Sequence, residues 1–279
     1  MNKLVTYIKD SIADLYPQDE ALALALWVAE EVTGLTRSQL LTTTIDKDTK
    51  YIPNIEKIVQ RLRNFEPIQY IFGYTEWRGL RLKVTPATLI PRPETAELVD
   101  IISNHISIVS SDIHIIDIGT GTGCIAIALQ HLYPNATITA IDISKDALAV
   151  AEYNCHANNA AVKLFRQDIF APLREELLAQ PFDIVVSNPP YICVSEDVGN
   201  NVGNYEPAEA LYVSDANPLK FYERIAGLKL GTWLIFEVNE RLASQVRDIL
   251  VFYGYTDTDI IADTYGKERF VSGRLIQKS

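Results

Sequence analysis

The chain is 279 residues long, 48% hydrophobic and 22% charged, with a formal net charge of −11 at pH 7. That length gives one large domain or two modest ones with an ample core, and the composition is that of a globular chain, not a disordered or fibrous one. The acidic excess argues against non-specific binding to a phosphate backbone.

Three cysteines, Cys124, Cys155 and Cys193, form no CxxC pair, and the four histidines share no ligand spacing with them or with one another. Reduced thiols in a cytoplasmic protein are expected, with no disulfide frame and no metal site. The N-terminus mixes Lys3, Lys9 and Asp10 among its apolar residues, so a signal peptide is not expected. The apolar run 21–29 is flanked by acids on both sides and is too short to cross a bilayer. No membrane association is expected, and the expected form is a monomer.

Residues 1–66 read as helical. Leu4, Ile8, Ile12 and Leu15 recur at helical spacing, and Pro17 is expected to end that helix. Asp19 is the expected cap of a second helix that stops at Gly34, and Thr36 the cap of a short third one. A fourth is expected over residues 53–64, with Ile55, Ile58, Val59 and Leu62 on one face. Residues 67–84 turn to aromatics and alternation, which predicts a β-hairpin linker. Three prolines, Pro86, Pro91 and Pro93, then stiffen a loop that cannot join a central strand, and a helix follows over 94–104.

Residues 85–279 alternate strands and helices. Strands are expected at 113–118, 137–141, 162–165, 183–187, 232–238, 256–261 and 269–276, with helices at 123–132, 145–158, 218–230 and 240–253. This pattern predicts a doubly wound, Rossmann-like α/β sheet, mostly parallel, with the last two strands as an antiparallel hairpin at one edge.

The first of these strands runs into Asp117-Ile118-Gly119-Thr120-Gly121-Thr122-Gly123, and Asp142 closes the second, 23 residues after Gly119. Glycines between a strand and a helix let the backbone approach a ligand, and an acid at that distance suits ribose hydroxyls. A nucleoside cofactor is the expectation. The third glycine of a dinucleotide fingerprint would fall on Cys124, so the pattern is GxGxG and weighs against a nicotinamide or flavin.

The apolar run Ile184-Val185-Val186 ends in Ser187-Asn188-Pro189-Pro190-Tyr191. Two prolines remove two backbone donors and fix φ, so the strand must stop and Asn188 is held in place. An Asn followed by two carbonyls with no competing N–H is suited to accept hydrogen bonds from an NH2 group, with Tyr191 as a flat face beside it.

Together these residues resemble class I S-adenosylmethionine-dependent methyltransferases that modify nitrogen. The segment Ile90-Pro91-Arg92-Pro93-Glu94-Thr95, joined to GTGTG and the Asn-Pro-Pro-Tyr corner, resembles the HemK/PrmC family over nearly the whole chain. Asp197-Val198, Glu206-Pro207 and Gly266-Lys267-Glu268-Arg269 extend the match.

The resemblance implies a protein-(glutamine-N5) methyltransferase acting on the Gly-Gly-Gln glutamine of peptide chain release factors. It divides the chain into a docking domain at 1–66, a linker at 67–84 and a catalytic domain at 85–279. It assigns the cofactor to Gly119, Thr120, Gly121, Thr122, Gly123 and Asp142, with Ile169 where relatives often carry tryptophan, so that the stacking surface is either aliphatic or supplied by Phe170. Asn188 would touch cofactor and substrate. Asn188, Pro189 and Tyr191 would carry the chemistry, and Pro189, Pro190 and Tyr191 would clamp the target.

Asp117 and Glu237, at strand ends, either face the cofactor or form a cap or ion pair. Arg92 either reaches the cofactor's carboxylate or pairs with Glu94. The Asn-Pro-Pro-Tyr corner also suits an exocyclic amino group on a base, so a nucleic-acid amino-methyltransferase is the alternative, although the charge disfavours DNA. A non-catalytic nucleoside-binding module is a second alternative, and a dehydrogenase a third.

Overall fold

The computed structural model describes residues 2–43, 45, 50–105, 113–179 and 181–276. They form two compact units, Met1–Phe72 with Gly199–Tyr205, and Gly73–Val198 with Glu206–Ser279. No helix among the described residues is long and apolar enough to cross a membrane.

The first unit is helical, with helices Lys3–Asp10, Gln18–Thr33, Arg37–Thr42, Ile52–Arg63 and Ile68–Phe72. Leu4, Ile8, Ala25, Val28, Leu40, Ile55 and Leu62 are buried together, so the apolar stripes that the spacing predicts do build one core. Thr36 and Gln39 form a capping box, and Gly34 ends the second helix at φ 71°. Two details differ from expectation. The first helix ends at Asp10, before Pro17, and continues only as turns. Asp19 lies in the first turn of the second helix, whose cap position is Pro17, so its carboxylate meets the helix dipole instead of capping it.

The stretch 67–84 is only half hairpin. Ile68 and Tyr70 are buried, and Ile68–Phe72 closes a helical turn that clusters with the first unit. The hairpin is β1 (Tyr74–Trp77) against β2 (Leu80–Lys83). Its two-residue turn has Arg78 at φ 52° and Gly79 at φ 75°, the pair of positive angles that matches strand twist.

The second unit holds β3 (His114–Ile118), β4 (Thr137–Asp142), β5 (Val162–Arg166), β6 (Phe182–Ser187), the short β7 (Ile192–Cys193) and β8 (Tyr212–Val213), β9 (Gly231–Glu237), β10 (Tyr255–Ala262) and β11 (Glu268–Leu275). Seven of them make one sheet in the order β10-β11-β9-β6-β3-β4-β5. The run from β9 to β5 is parallel, and β11 is antiparallel to both neighbours. The doubly wound fold is therefore present, and every sheet strand falls within two residues of its expected bounds.

Both faces of the sheet are covered, as parallel strands require. Leu98 and Ile102 of helix Thr95–His105, with Ile125 and Leu129 of helix Cys124–Leu132, cover one face. Tyr222 and Ile225 of helix Lys220–Leu228, with Val246 and Leu250 of helix Ala243–Phe252, cover the other. The strand order reverses at β3, so the crevice beyond the carboxyl ends of β3 and β6 is where an open α/β sheet takes its ligand.

Candidate active site

A cavity of about 680 Å³ opens at that crevice. Its walls include Gly119, Thr120, Gly121 and Thr122 from the loop after β3, Asp142 from β4, Ile169 and Phe170 from the loop after β5, and Asn188, Pro189 and Pro190 from the corner after β6. Thr88, Pro91, Arg92 and Thr95 of the proline-stiffened loop close another side. Four expected site residues stand outside the wall: Asp117, Gly123, Tyr191 and Glu237.

The glycine loop is shaped by its backbone. The amides of Gly119 and Thr120 both donate to the Ile141 carbonyl, at 2.9 and 3.0 Å, tying the loop to β4. Gly119 and Gly121 have positive φ, and a Cβ added at either would meet nothing within 4 Å. The backbone angle thus favours glycine there, while the space beside it is open. Gly123, also at positive φ, occupies the cap position of helix Cys124–Leu132.

Asp142 Oδ2 accepts from the Gly121 amide at 2.9 Å and Oδ1 from Ser144 at 2.9 Å. Burial raises its pKa, and those amides oppose the rise. A carboxylate has about four acceptor sites, so it retains capacity for hydroxyls in the cavity.

Asp117 is fully buried behind this loop, with Oδ2 accepting from the Thr120 hydroxyl at 2.6 Å and Oδ1 unpartnered. Burial pushes its carboxyl up to about 7, and the neighbouring Asp142 adds to the rise. Asn154 gave no sequence signal. It is wholly buried on helix Lys145–Ala157, where Nδ2 donates to the carbonyls of Thr122 and Lys83 and Oδ1 accepts from the Lys83 amide at 2.7 Å. It fixes the loop from below.

Across the cavity the corner is anchored by side chains. Ser187 Oγ donates to the Ile118 carbonyl at 2.7 Å, joining β6 to β3 at their ends. Asn188 Nδ2 donates to Thr95 Oγ1 at 3.3 Å. Tyr191 packs against the Tyr222 and Phe236 side of the core, and burial pushes its hydroxyl up to about 12.

Glu237, the last residue of β9, is fully buried, and neither of its oxygens has a hydrogen-bond partner within normal distance. Burial raises its carboxyl to about 7; Thr95, Arg269 and Asn188 oppose that rise, and Glu94 adds to it.

Arg92 lines the cavity and pairs with Glu206, not with Glu94. Its Nη2 donates to Glu206 Oε1 at 2.6 Å, while the Ile90 amide donates to Oε2 at 3.1 Å. The Glu206 side chain is 1% exposed. This buried acid ties the proline-rich loop to the segment that brings Pro207 and Glu209 to the cavity.

On the far wall Ile169 belongs mainly to the core, and Phe170 supplies the aromatic surface. Phe170 meets Phe221 edge-on at 5.2 Å, and Lys220 lies 5.9 and 4.9 Å from the two ring centres. Among the described residues, no group of three His, Cys, Asp or Glu side chains is placed to hold a metal ion.

Two family models match the chain: a Methyltransferase small domain over residues 95–204 and a PrmC N-terminal domain over residues 4–73. A release factor glutamine methyltransferase of Bacteroides thetaiotaomicron is 39% identical, over 98% of this chain and 99% of its own. One of Flavobacterium psychrophilum is 37% identical, over 95% and 96%. Among solved structures, the hMettl16 catalytic domain in complex with a MAT2A 3'UTR hairpin superposes with a TM-score of 0.57 at 16% identity, covering 82% of each chain, a likeness of fold alone.

Proposed function

The chain belongs to the family of release factor glutamine methyltransferases, and from that premise we propose that its cavity takes S-adenosylmethionine together with the glutamine of a release factor's Gly-Gly-Gln motif. The reaction is methyl transfer to the side-chain amide nitrogen of glutamine. The position of Asn188 carries the reading of the site. It stands in the wall of the same cavity as the glycine loop and Asp142, at the end of a strand that two prolines terminate.

The residues present fit that cofactor. A volume of about 680 Å³ lies within the range of about 300–1,000 Å³ typical of small-ligand sites. Asp142 keeps acceptor capacity for ribose hydroxyls, the glycine loop is open toward the cavity, and Phe170 offers a ring face to the base. S-adenosylmethionine supplies the methyl group as an electrophilic carbon on a cationic sulfur.

The protein's task is to make an amide nitrogen nucleophilic, because its lone pair is delocalised into the carbonyl. Asn188 Oδ1 and the Pro189 main-chain carbonyl accept the two amide hydrogens. Positive charge grows on the nitrogen as it attacks, so those oxygens bind it more tightly than they bind the resting amide. Pro189 and Pro190 lack N–H groups, so the corner offers no competing donor. Fixing the nitrogen in line with the methyl carbon is the kind of positioning that can supply about 7–11 kcal/mol of a barrier reduction. No strong base is needed: the sulfur–methyl bond breaks with its electron pair left on sulfur, giving S-adenosylhomocysteine, and the strongly acidic methylated nitrogen then loses its proton to water. Tyr191 braces the corner from the sheet side and limits its movement.

The helical unit is assigned the grip on the release factor beyond its glutamine. Mass spectrometry of a release factor incubated with the protein and S-adenosylmethionine tests the whole reading. The expected product carries one methyl on the glutamine of Gly-Gly-Gln. Methyl found only in nucleic acid, or on no component of a cell extract, would contradict it.

A further inference from the structure

Glu237 has no assigned role, and it is unusual in its setting. It is an acid with no exposed surface, and among the described residues neither oxygen has a hydrogen-bond partner within normal distance. Such a group costs native stability, so its presence calls for a function. Its strand, β9, pairs with β6 so that Ser187 lies opposite Phe236, one residue from Glu237. That places the carboxyl behind the corner, where the Thr95 and Asn188 side chains, beyond normal hydrogen-bond distance, favour its charged form. Both also belong to the cavity wall, whereas Glu237 does not.

We propose that Glu237 is a positioning residue that sets which end of the Asn188 amide faces the substrate. The proposal rests on the glutamine methyltransferase reading above. The two ends of an asparagine amide have nearly the same shape, and Thr95 cannot choose between them, because a hydroxyl both donates and accepts. An ionised carboxylate only accepts. It draws the Thr95 proton and the Asn188 Nδ2 hydrogens inward, which leaves Thr95 Oγ1 an acceptor for Nδ2, as observed at 3.3 Å. Asn188 Oδ1 is then turned to the cavity. With the amide reversed, an NH2 group would face the NH2 of the target and repel it.

Protonated Glu237 becomes a donor and the relay can run the other way. The groups near enough to act on its charge are Glu94 and Thr95 from the loop and helix start, Asn188 and Tyr191 from the corner, Arg269 from β11, Tyr222 from helix Lys220–Leu228 and Cys124 at the start of its helix. Burial opposes ionisation, and Arg269 supports it. An acid whose folded pKa is raised costs no stability below its unfolded pKa, and the cost is complete once pH has passed the folded value, here about 7.

The test is Glu237→Gln in the full-length protein. Gln can donate or accept, so it leaves the amide end unselected. At pH 8 the variant is expected to melt at a higher temperature than the parent, since a buried charge is gone. Cofactor affinity by calorimetry should stay within about twofold. Turnover of a release factor should fall about tenfold or more, and the acid limb of the parent's turnover–pH profile should be absent. Turnover within about twofold of the parent, or an unchanged acid limb, overturns the proposal.

Should the variant fail to fold, Thr95→Val removes the same relay, and unchanged turnover there would also overturn it. An assay independent of the substrate separates this inference from its premise. Hydrogen exchange of the Asn188 side-chain NH2, followed by NMR, is expected to be at least about tenfold slower in the parent than in Glu237→Gln. Equal exchange overturns the inference even if the release factor is methylated, and a lack of methylation by the parent refutes only the premise.

Discussion

The two sides of the cavity are built by opposite means. The loop after β3 gets its shape from glycine, at positive φ that side-chain-bearing residues rarely adopt, and it is pinned through main-chain donors to Ile141 and Asp142. The corner after β6 gets its shape from proline, which forbids movement and removes donors, and it is pinned through the side chains of Ser187 and Asn188. Each side also hides one acid raised to about 7 by burial. Asp117 has the Thr120 hydroxyl, whereas no described residue lies within normal hydrogen-bond distance of the Glu237 oxygens. A main-chain cradle holds any ligand that matches its shape. A side-chain corner can discriminate one functional group from another. The division between binding and chemistry follows that line.

Substitutions on the two sides should therefore fail in different ways. The largest effect is expected at the corner. Asn188→Ala removes one transition-state acceptor and should slow single-turnover methylation about 10²–10³-fold, while calorimetry shows cofactor affinity nearly unchanged. Near-normal turnover would remove Asn188 from the chemistry. The smaller effect belongs to the loop side. Asp142→Ala removes hydrogen bonds to a charged acceptor, worth about 1.5–3 kcal/mol. Cofactor affinity should weaken about tenfold to a hundredfold, with methyl transfer at saturating cofactor largely restored. Equal affinity in parent and variant would place the ribose elsewhere.

Much of this division was legible in the residue order. Glycine and proline announce themselves, because they act on the backbone of their own position, and the strand ends that carry Asp142 and Asn188 follow from the apolar runs before them. The sheet strands were legible for the same reason: residues such as Ile184, Val185 and Val186 are buried on both faces and leave no alternation to misread. The helix at Ile68–Phe72 was not, because Tyr70 and Phe72 suit a strand by propensity and only packing against the helical core decides otherwise.

The ties that span long stretches of chain were also hidden. Arg92 stands two residues from Glu94, yet its partner is Glu206. Asn154 reaches back to Lys83 and Thr122. Local sequence reports local chemistry. The partner of a buried charge is set by strand order, which brings β9 beside β6 and so places Glu237 behind Asn188.

The central claim is that oxygens of Asn188 and Pro189 hold the target nitrogen at the end of β6. A crystal structure with a Gly-Gly-Gln peptide and S-adenosylhomocysteine tests it most directly. The predicted result is the glutamine amide nitrogen within about 2.7–3.2 Å of both Asn188 Oδ1 and the Pro189 carbonyl oxygen. A glutamine bound with its nitrogen away from both oxygens, or with its carbonyl facing Asn188, would contradict the account.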